Sequence, residues 1–511
     1  MNDLSLELLP NQIMLGVVGT GTMGRGIAQV AARAGIPVRL HDAEPGKAQA
    51  AIEGIRSELE GLSAKGKLSS EEVVSACAKV SAVESLEMLR GCNMVLEAIV
   101  EDLEAKRDLF CRLEGIVADD CVLATNTSSL LVTAIAASCM RPERVGGAHF
   151  FNPVPLMKVV EVIAGVRTNE ATVDSLNRFV RHLGHVPVRA SDTPGFLINH
   201  AGRALYTEGV RIVSEGICSF QDVDRVMQEA AAFRMGPFQL LDLTGLDVSF
   251  PVMQQIYRDF FEEPRFRPAP LLKRQVAAGL YGRKVGAGFY RYDKGTMVMP
   301  PELSISDGSS LPVWISPEDR ASFPWVPAKL REYGIKIVES PQGEGDAILL
   351  VLPLGSDATS AAVVRGLDPE RVMALDPLLP NARRLTVMPT AVTRSEVRDS
   401  LHAMIVTGGG KATLIHDSPG FVAQRILAMI VNVGADIAQQ RIAAPEDIDV
   451  AARMGLGYQN GPLSLGDQIG AARILHILEG LQSFYGDPRY RPSPWLKRRA
   501  LIGRSLLQPD A

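Results

Sequence analysis

The spacing of apolar residues near the start of the chain predicts a strand, a loop, a helix and a second strand in quick succession. Residues 13–18 form a short apolar run typical of a buried strand, and a glycine-rich loop follows at once. Small residues with helical spacing fill 25–34, Gly35 closes that helix, and residues 38–42 form the second strand. Because these elements fit within about 30 residues, they predict the opening of a doubly wound Rossmann-type sheet.

The same pattern continues over the next 150 residues or so before it changes to helices. Residues 45–78 carry helical spacing around an exposed segment, Lys65-Gly66-Lys67, and predict a helical hairpin. Further strands are predicted at residues 94–99, 121–125, 145–150 and 159–163. Beyond the break at Pro194-Gly195, helical spacing dominates to about Tyr281, so we expect the first domain boundary near Ser191.

An internal repeat follows from a comparison of the chain with itself. The segment 192–196 (DTPGF) recurs as 417–421 (DSPGF), a shift of 225 residues. The same shift maps 222–224 onto 447–449, Gly236-Pro237 onto Gly461-Pro462, and Asp242 onto Asp467. Residues 264–268 (PRFRP) return as 488–492 (PRYRP), now shifted by 224. The helical domain is therefore predicted to be duplicated.

Between the two copies lies a stretch rich in proline and glycine, 297–327, followed by strand-like runs at 335–338, 347–352, 372–374 and 385–388. We interpret this region as a reduced, degenerate α/β segment, and since it has no G-x-G-x-x-G we expect no second dinucleotide site there. Four parts are predicted: a nucleotide-binding domain with the hairpin at 1–191, an all-α domain at 192–294, a linker with the degenerate segment at 295–410, and a second all-α copy at 411–511.

Composition narrows the class of protein. The 511 residues are 46% hydrophobic and 22% charged, with a net charge of −5 and scattered basic residues, so we expect no nucleic-acid partner. Six cysteines lie in the first half without a C-x-x-C pair or zinc spacing, which indicates free thiols and no metal site. With Asp3 and Glu7 before the first strand and no apolar run of about 18 residues, we expect a cytoplasmic protein without a membrane partner.

The glycine-rich loop is the first candidate site. Gly19 permits a tight turn, Gly21 lets backbone N–H groups approach a pyrophosphate, and Gly24 allows close contact between helix and strand. Thr22 and Met23 open the helix, whose N-terminus favours negative charge. Asp42 ends the second strand, where a carboxylate accepts hydrogen bonds from a ribose 2′-hydroxyl and repels a 2′-phosphate. The loop therefore predicts NAD rather than NADP, although Arg39 nearby leaves the second choice open.

A histidine and an acid supply the candidate chemistry. His149 ends a predicted strand, at the edge where doubly wound sheets bind ligands. Glu161 lies inside an apolar strand, where an unpaired acid is costly, and pairing with His149 offsets that cost and orients the imidazole. Asn126-Thr127-Ser128-Ser129 follows another strand end, where it either hydrogen-bonds a ligand or caps a helix.

These motifs together resemble the bacterial 3-hydroxyacyl-CoA dehydrogenase family. The matching segments are 19–26, 97–101 with Lys106 and Phe110, 126–129, 149–155, 192–199, 235–238, 245–247 and 282–290. The resemblance covers residues 13 to about 292, and the duplicated helical domain is most similar to a long bacterial subgroup that includes 3-hydroxybutyryl-CoA and 3-hydroxyadipyl-CoA dehydrogenases. It implies NAD-dependent oxidation of a (3S)-3-hydroxyacyl-CoA with a short or dicarboxylic acyl chain.

The resemblance also implies roles for individual residues. His149 is the general base that takes the proton of the 3-hydroxyl while hydride leaves C3 for the nicotinamide, and Glu161 orients His149. The implied substrate-binding residues are Ser128, Asn152 and Asn199, and the implied NAD-site residues are Glu101, Lys106 and Lys284. Lys65 and Lys67 are the expected contacts for the CoA phosphates.

The chain departs from the family at two places, one in the first copy and one in the second. His200 follows Asn199 where the family usually carries arginine, and Gln424 replaces the equivalent of Asn199. Since no histidine corresponds to His149, we expect one active site per chain. The fused copy either replaces a dimer contact within the chain or pairs with another chain to form a homodimer.

Three alternatives stay open at this stage. The first is a dehydrogenase of a free hydroxy acid such as gulonate, and the second is a non-catalytic NAD-binding descendant. In the third, the C-terminal half is the remnant of a bifunctional protein, as in dehydrogenases fused to an enoyl-CoA hydratase. The intact His149, Glu161, Ser128 and Asn199 argue against a non-catalytic descendant.

Overall fold

The structure is a computed structural model that describes residues 13–302, 310–340 and 346–510. Asp3 and Glu7, on which the expectation about a leader rests, lie outside these residues. The chain divides into two compact units, one formed by residues up to His200 with Gln440–Gly457, the other by Ala201–Gln439 with Tyr458–Ala511.

The first unit is built on an eight-stranded sheet. Its strands are β1 Leu15–Val18, β2 Val38–His41, β3 Val80–Ala82, β4 Met94–Glu97, β5 Val122–Thr125, β6 Val145–Phe150, β7 Val159–Ala164 and β8 Val186–Ser191. Its helices are α1 Thr22–Arg33, α2 Lys47–Ala64, α3 Ser70–Cys77, α4 Leu103–Ile116, α5 Val132–Ala136, α6 Glu170–His182, α7 Ile198–Ala201 and, from the second repeat, α18 Pro445–Gly455. The sheet order is β3-β2-β1-β4-β5-β6-β7-β8, and only the β6–β7 pair is antiparallel.

The predicted Rossmann-type fold class is confirmed, and the apolar runs explain why. Strands β1, β4, β5 and β6 are buried throughout, as expected for parallel strands covered by helices on both faces. β3 and β8 escaped the sequence analysis because β3 has three residues and β8 is half exposed, so neither forms an apolar run. The Ser191 N–H donates to the Ile442 carbonyl (2.8 Å), which ties residues just before α18 to β8.

The second unit contains both helical repeats and a smaller sheet. The first repeat has α8 Arg203–Ser214, α9 Phe220–Glu229, α10 Pro237–Thr244, α11 Leu246–Asp259 and α12 Pro270–Ala277, then the hairpin β9 Arg291–Asp293 and β10 Thr296–Val298. The middle segment has β11 Val313–Ile315, α13 Pro317–Ser322, α14 Trp325–Glu332, β12 Ile337–Val338, β13 Ile348–Val351, α15 Ala358–Val364, β14 Val372–Leu375, β15 Leu385–Pro389, α16 Ser395–Thr407 and β16 Ala412–Leu414. The second repeat contributes α17 Ala423–Gln439, α19 Pro462–Ile469, α20 Ala471–Tyr485 and α21 Pro494–Ile502.

The small sheet is a shortened version of the large one. Its order is β12-β11-β13-β14-β15-β16, and again one pair, β14–β15, is antiparallel. Asp192 accepts the N–H groups of Val132 and Thr133 at the start of α5, and Asp417 does the same for Ala358 and Thr359 at the start of α15. The α15 helix therefore corresponds to α5, and the predicted degenerate α/β segment is confirmed.

The start of the small sheet differs from a dinucleotide site in its chemistry. After β11 the chain continues as Ser316-Pro317-Glu318-Asp319 and enters α13 at once. Carboxylates in the first turn of a helix take the place that a bound phosphate would need.

Candidate active site

Four strand ends bring the predicted site residues to one edge of the large sheet. β1, β4, β5 and β6 lie side by side and parallel, with Val18, Glu97, Thr125 and Gly147 in register. The segments that follow these strands therefore meet at the carboxyl edge, where doubly wound sheets bind ligands. This edge gathers the glycine loop, Glu101, Ser128 and His149 from separate parts of the sequence.

The glycine loop has the shape that a pyrophosphate requires. Gly19 has φ +92°, and a Cβ there would lie 2.5 Å from the Ala98 carbonyl oxygen. A Cβ on Gly24 would lie 1.9 Å from the Gly19 carbonyl oxygen, so helix and strand approach closely. Around Gly21, in contrast, no described atom other than its chain neighbours lies within 4 Å of the Cβ position. The N-terminus of α1 has no side-chain cap, so its first N–H groups suit an anion.

Asp42 is fixed by the same loop. Its Oδ2 accepts the backbone N–H and the hydroxyl of Thr20 (2.9 and 2.7 Å), and Oδ1 accepts the N–H of Glu44 (3.0 Å). Burial by itself would raise the pKa of Asp42, but these hydrogen bonds hold it below its ordinary value. Arg39 donates to the Met88 carbonyl (2.5 Å), so the guanidinium that favoured NADP in the sequence is engaged elsewhere.

A buried ion-pair chain holds the loop that carries Ser128. Lys106 Nζ lies 2.6 Å from Glu97 and 3.2 Å from Glu101, with its side chain 1% exposed. One oxygen of Glu101 accepts the Thr127 hydroxyl (2.6 Å) and the N–H groups of Ser128 (2.9 Å) and Ser129 (3.0 Å). This arrangement makes Glu101 the residue that fixes the shape of the loop, and Lys106 the cation that holds Glu101.

The electrostatics of Glu101 follow from those contacts. Burial alone would raise its pKa, but the Thr127 hydrogen bond and the Lys106 charge outweigh burial and lower the pKa to about 2. Glu101 is therefore ionised at neutral pH. The direct contacts of Glu101 and Lys106 with NAD stay predictions.

His149 and Glu161 face each other across the antiparallel pair β6–β7. They are register partners, and His149 Nδ1 lies 2.5 Å from Glu161 Oε2, with the two side chains 6% and 0% exposed. Since a carboxylate only accepts hydrogen bonds, the Nδ1 proton points to Glu161 and Nε2 is the ring atom left to take a proton. The rings of Phe151 and Phe196 flank the imidazole at 4.4 and 5.7 Å between centroids.

Glu161 also positions the segment that bears Asn199. Its Oε1 accepts the N–H groups of Leu197 (2.9 Å) and Ile198 (2.6 Å) at the start of α7. Asn126 links the next strand, because its Oδ1 accepts the Phe150 N–H (2.8 Å). The half-buried Asn199 and the exposed Asn152 are thus carried by segments tied to the His149–Glu161 pair.

The remaining predicted residues belong to segments that do not directly follow these four strand ends. Lys65 and Lys67 are exposed in the turn between α2 and α3. Lys284 belongs to the second unit, where its ammonium lies 2.5 Å from Asp247. Their contacts with CoA and NAD stay predictions.

Comparisons with known proteins agree with this geometry. Residues 14–193 match the model of the 3-hydroxyacyl-CoA dehydrogenase NAD binding domain, and the C-terminal domain model of that family matches twice, at 195–292 and 420–506. The chain belongs to the 3-hydroxyacyl-CoA dehydrogenase family. The double match also confirms the duplication, and the NAD binding domain model bears out NAD as the cofactor.

Some relatives of this dehydrogenase match nearly its whole length, and shorter ones match about half of it. The 3-hydroxyadipyl-CoA dehydrogenase of Escherichia coli K12 is 34% identical over 97% of this chain and 99% of its own. A probable 3-hydroxybutyryl-CoA dehydrogenase of Bacillus subtilis is 40% identical over 56% of this chain and 98% of its own. The crystal structure of a 3-hydroxybutyryl-CoA dehydrogenase from Escherichia coli K12 covers 96% of this chain and 98% of its own, with a TM-score of 0.84 and 33% identity.

The sequence analysis did not predict the contacts through which several residues hold the site of this dehydrogenase together, although it singled out Asn126 and Thr127 as ligand-binding or helix-capping groups. Glu97, Thr127 and Asn126 each fix a loop through hydrogen bonds, and Asp192 caps α5. Glu97 had a signal of the kind that singled out Glu161, an acid at the end of an apolar strand. The contacts of Asn126 and Thr127 join residues far apart in sequence, so only the fold reveals them.

In the second half the same positions hold a different set. Thr386 stands 225 residues after Glu161, and opposite it lies Asp376, whose N–H donates to the Thr386 carbonyl (3.0 Å). Gln424, the equivalent of Asn199, donates to Asp376 at 2.8 Å. Burial raises the pKa of Asp376 to about 6. The histidine and its acid are thus replaced by Asp376 and Thr386, and the Asp376 side chain bonds to Gln424.

No metal or membrane feature accompanies the site within the described part of the chain. Over residues 13–302, 310–340 and 346–510, no three His, Cys, Asp or Glu side chains come together in a way that would hold a metal ion. Within the same ranges, none of the helices has both the length and the apolar character to cross a bilayer. All six cysteines are free.

Proposed function

We propose that this chain oxidises the 3-hydroxyl of a (3S)-3-hydroxyacyl-CoA to the 3-oxo compound, reversibly, with His149 as the general base. The observation that carries the proposal is the buried His149–Glu161 pair at the edge that also holds the glycine loop. An alcohol cannot lose hydride without losing its proton, so a base beside a dinucleotide site is the combination that the reaction requires.

The residues present fit NAD. The open space at Gly21 and the uncapped N-terminus of α1 suit the pyrophosphate, and Asp42 suits the ribose hydroxyls. NAD, when bound, supplies the hydride acceptor. The protein's own part is to hold both molecules and to handle the proton.

Individual residues of the chain bind the substrate and take the proton. His149 takes the hydroxyl proton at Nε2, while Glu161 holds the ring through Nδ1 and balances the positive charge that develops. Ser128 and Asn199 hydrogen-bond the substrate oxygens, with Asn152 beside them, in segments fixed by Glu101 and Glu161. Phe151 and Phe196 keep water from the imidazole.

We propose a short or dicarboxylic acyl chain. Support comes from the relatives, which are a 3-hydroxyadipyl-CoA dehydrogenase and a probable 3-hydroxybutyryl-CoA dehydrogenase. Lys65 and Lys67, exposed on the α2–α3 turn, are proposed to meet the CoA phosphates as point charges. We further propose a cytoplasmic location, because NAD and acyl-CoA are metabolites of the cell interior and the six thiols are free.

For the oligomeric state, we propose that the second helical copy replaces the dimer contact within one chain. This is supported by the packing of α17 against α8 in the second unit, since these helices are equivalent in the two repeats.

The test of the activity is an absorbance assay at the NADH wavelength. Oxidation of NADH is expected with acetoacetyl-CoA and with 3-oxoadipyl-CoA, and the larger kcat/KM identifies the acyl class. NADPH is expected to be a poor substitute. If no 3-oxoacyl-CoA supports NADH oxidation while free 3-oxo acids do, the proposed substrate is wrong.

A further inference from the structure

The two helical repeats contact each other reciprocally in the second unit. Arg265 of the first repeat donates to the Arg491 carbonyl of the second (3.0 Å), and Arg489, the equivalent of Arg265, donates to the Pro264 carbonyl of the first (3.2 Å). Equivalent arginines thus cross the contact in both directions, onto carbonyls that are close to but not at equivalent positions, as expected of an approximately two-fold interface between like domains. Here both domains belong to one chain.

One buried ion pair breaks this symmetry. The guanidinium of Arg425, on α17, lies 2.7 Å from the Glu208 carboxylate, on α8, and the two side chains are 0% and 1% exposed. Arg425 also meets Glu215 (2.9 Å), and Tyr485 and Tyr490 each accept a hydrogen bond from it at 3.0 Å. The arginine comes from the second repeat and both carboxylates come from the first.

The 225-residue shift shows that each repeat has kept only half of this pair. His200 stands in the first repeat where Arg425 stands in the second, and Val433 stands in the second where Glu208 stands in the first. A chain therefore carries one such arginine and one such glutamate, in different repeats.

The aromatic neighbours have diverged in the same direction. Tyr485 and Tyr490 correspond to Phe260 and Phe266, whose rings pack 4.9 Å apart in the first repeat. The hydroxyl groups that hydrogen-bond the ion pair thus occur only in the repeat that contributes the arginine. The second repeat thus contributes the arginine and both tyrosine hydroxyls, and the first repeat contributes the carboxylates.

The energetic consequence of this split is large. Two first repeats placed together would have no counterpart of Arg425, so each Glu208 would keep only the equivalent of Arg489, its more distant partner at 3.6 Å. Two second repeats would bury two Arg425 side chains facing valine. An uncompensated buried charge is strongly destabilising, far more than an exposed one. Pairing of unlike repeats is the arrangement in which both charges are neutralised.

We propose that the Arg425–Glu208 contact is a pairing key that lets each helical repeat accept only the other, so that this surface is closed to a second chain. The proposal does not depend on the substrate, and it adds to intrachain packing the residues that enforce it. Since the linked repeat is always present at high effective concentration, the key and the linkage act together.

The first test uses the unaltered full chain. Hydrogen exchange in α8 and α17 and the Tm are measured at a low chain concentration and at one about a hundredfold higher. We expect strong and equal protection, equal Tm values, and the 55.1 kDa mass of one chain. Protection of α8 or α17 that rises with concentration, or a Tm that does so, overturns the proposal.

The second test is a double-mutant cycle read by Tm. Arg425→Leu and Glu208→Leu are each expected to lower Tm by about 5 °C or more, and the double variant to regain most of the loss, since it leaves no buried charge unpaired. Glu263→Gln, at the half-buried edge of the same surface near Arg491, is the control with little expected change. If the Tm losses of the two single variants simply add in the double variant, the proposed pairing key is contradicted.

Milder changes keep the cycle informative if a single leucine variant fails to fold. Arg425→Lys and Glu208→Gln, which retain hydrogen-bonding groups, then replace the leucine variants, and coupling between them is the expected result. If the double leucine variant folds where a single one does not, the coupling is established directly.

Discussion

The Glu161 carboxylate lies 2.5 Å from His149 Nδ1 and is the charged partner of that ring in a buried site. Its other oxygen accepts two backbone N–H groups, from Leu197 and Ile198, at the start of the helix that bears Asn199. One side chain thus fixes both the proposed base and a proposed substrate contact. The predictions below concern the two residues of this pair, then Asp42 and Glu101.

Glu161→Gln is expected to lower kcat about 10²-fold or more, because an amide cannot act as an ionic partner for the imidazole and also accept both backbone N–H groups. The KM for NAD should change little. Tm should fall as well, since the carboxylate is 0% exposed. Steady-state kinetics and thermal unfolding measure these effects. The control is Glu170→Gln, which breaks an exposed pair with Arg189. A wild-type kcat in Glu161→Gln would show that Glu161 does not position His149.

His149→Gln is expected to reduce kcat by about 10² to 10⁴, the usual contribution of a general base. Binding of NAD, followed by calorimetric titration, should be unchanged because the ring lies on β6 and the glycine loop follows β1. Retention of most of the activity would show that another group removes the proton.

Asp42→Ala and Asp42→Asn separate two effects of the carboxylate. Both variants remove the charge that repels a 2′-phosphate, so the ratio of kcat/KM for NADP to that for NAD is expected to rise about tenfold or more. The alanine variant also removes both oxygens that accept from Thr20 and Glu44, whereas asparagine keeps one of them, so alanine should lower Tm more. An unchanged cofactor ratio in both variants would count against the ribose role.

Glu101 predicts a pH dependence of stability. Its pKa is lowered from 4.5 to about 2, so its stabilising effect is complete above pH 4.5 and is lost as pH falls from there towards 2. Glu101→Gln should therefore lower Tm at pH 7, and the difference from the unaltered chain should shrink below pH 4.5. Glu104→Gln, whose pair with Arg107 is at the surface, is expected to show a small difference that does not vary in this way. A constant difference for Glu101→Gln would contradict the assignment.

The sequence predicted much of this fold because parallel strands are buried on both faces. Apolar runs such as β5 and β6 therefore stand out, while the half-exposed β8 and the three-residue β3 do not. His149 and Glu161 were found together because an acid in an apolar strand needs a partner. The contacts of Glu97 with Lys106 and of Thr127 with Glu101 were not found, because no local sequence pattern shows that these side chains meet.

The dinucleotide loop, Asp42 after the second strand, the histidine with its acid and the duplication could all be predicted from the sequence. Each of them depends on local spacing or on an internal repeat. Three contacts could be found only in the folded chain. Glu101 fixes the Ser128 loop, Gln424 bonds to Asp376, and Arg425 pairs with Glu208. These contacts join side chains 27, 48 and 217 residues apart. A buried charge needs a partner, but the sequence around it does not show which residue that partner is. The partner depends on how the strands and helices pack together.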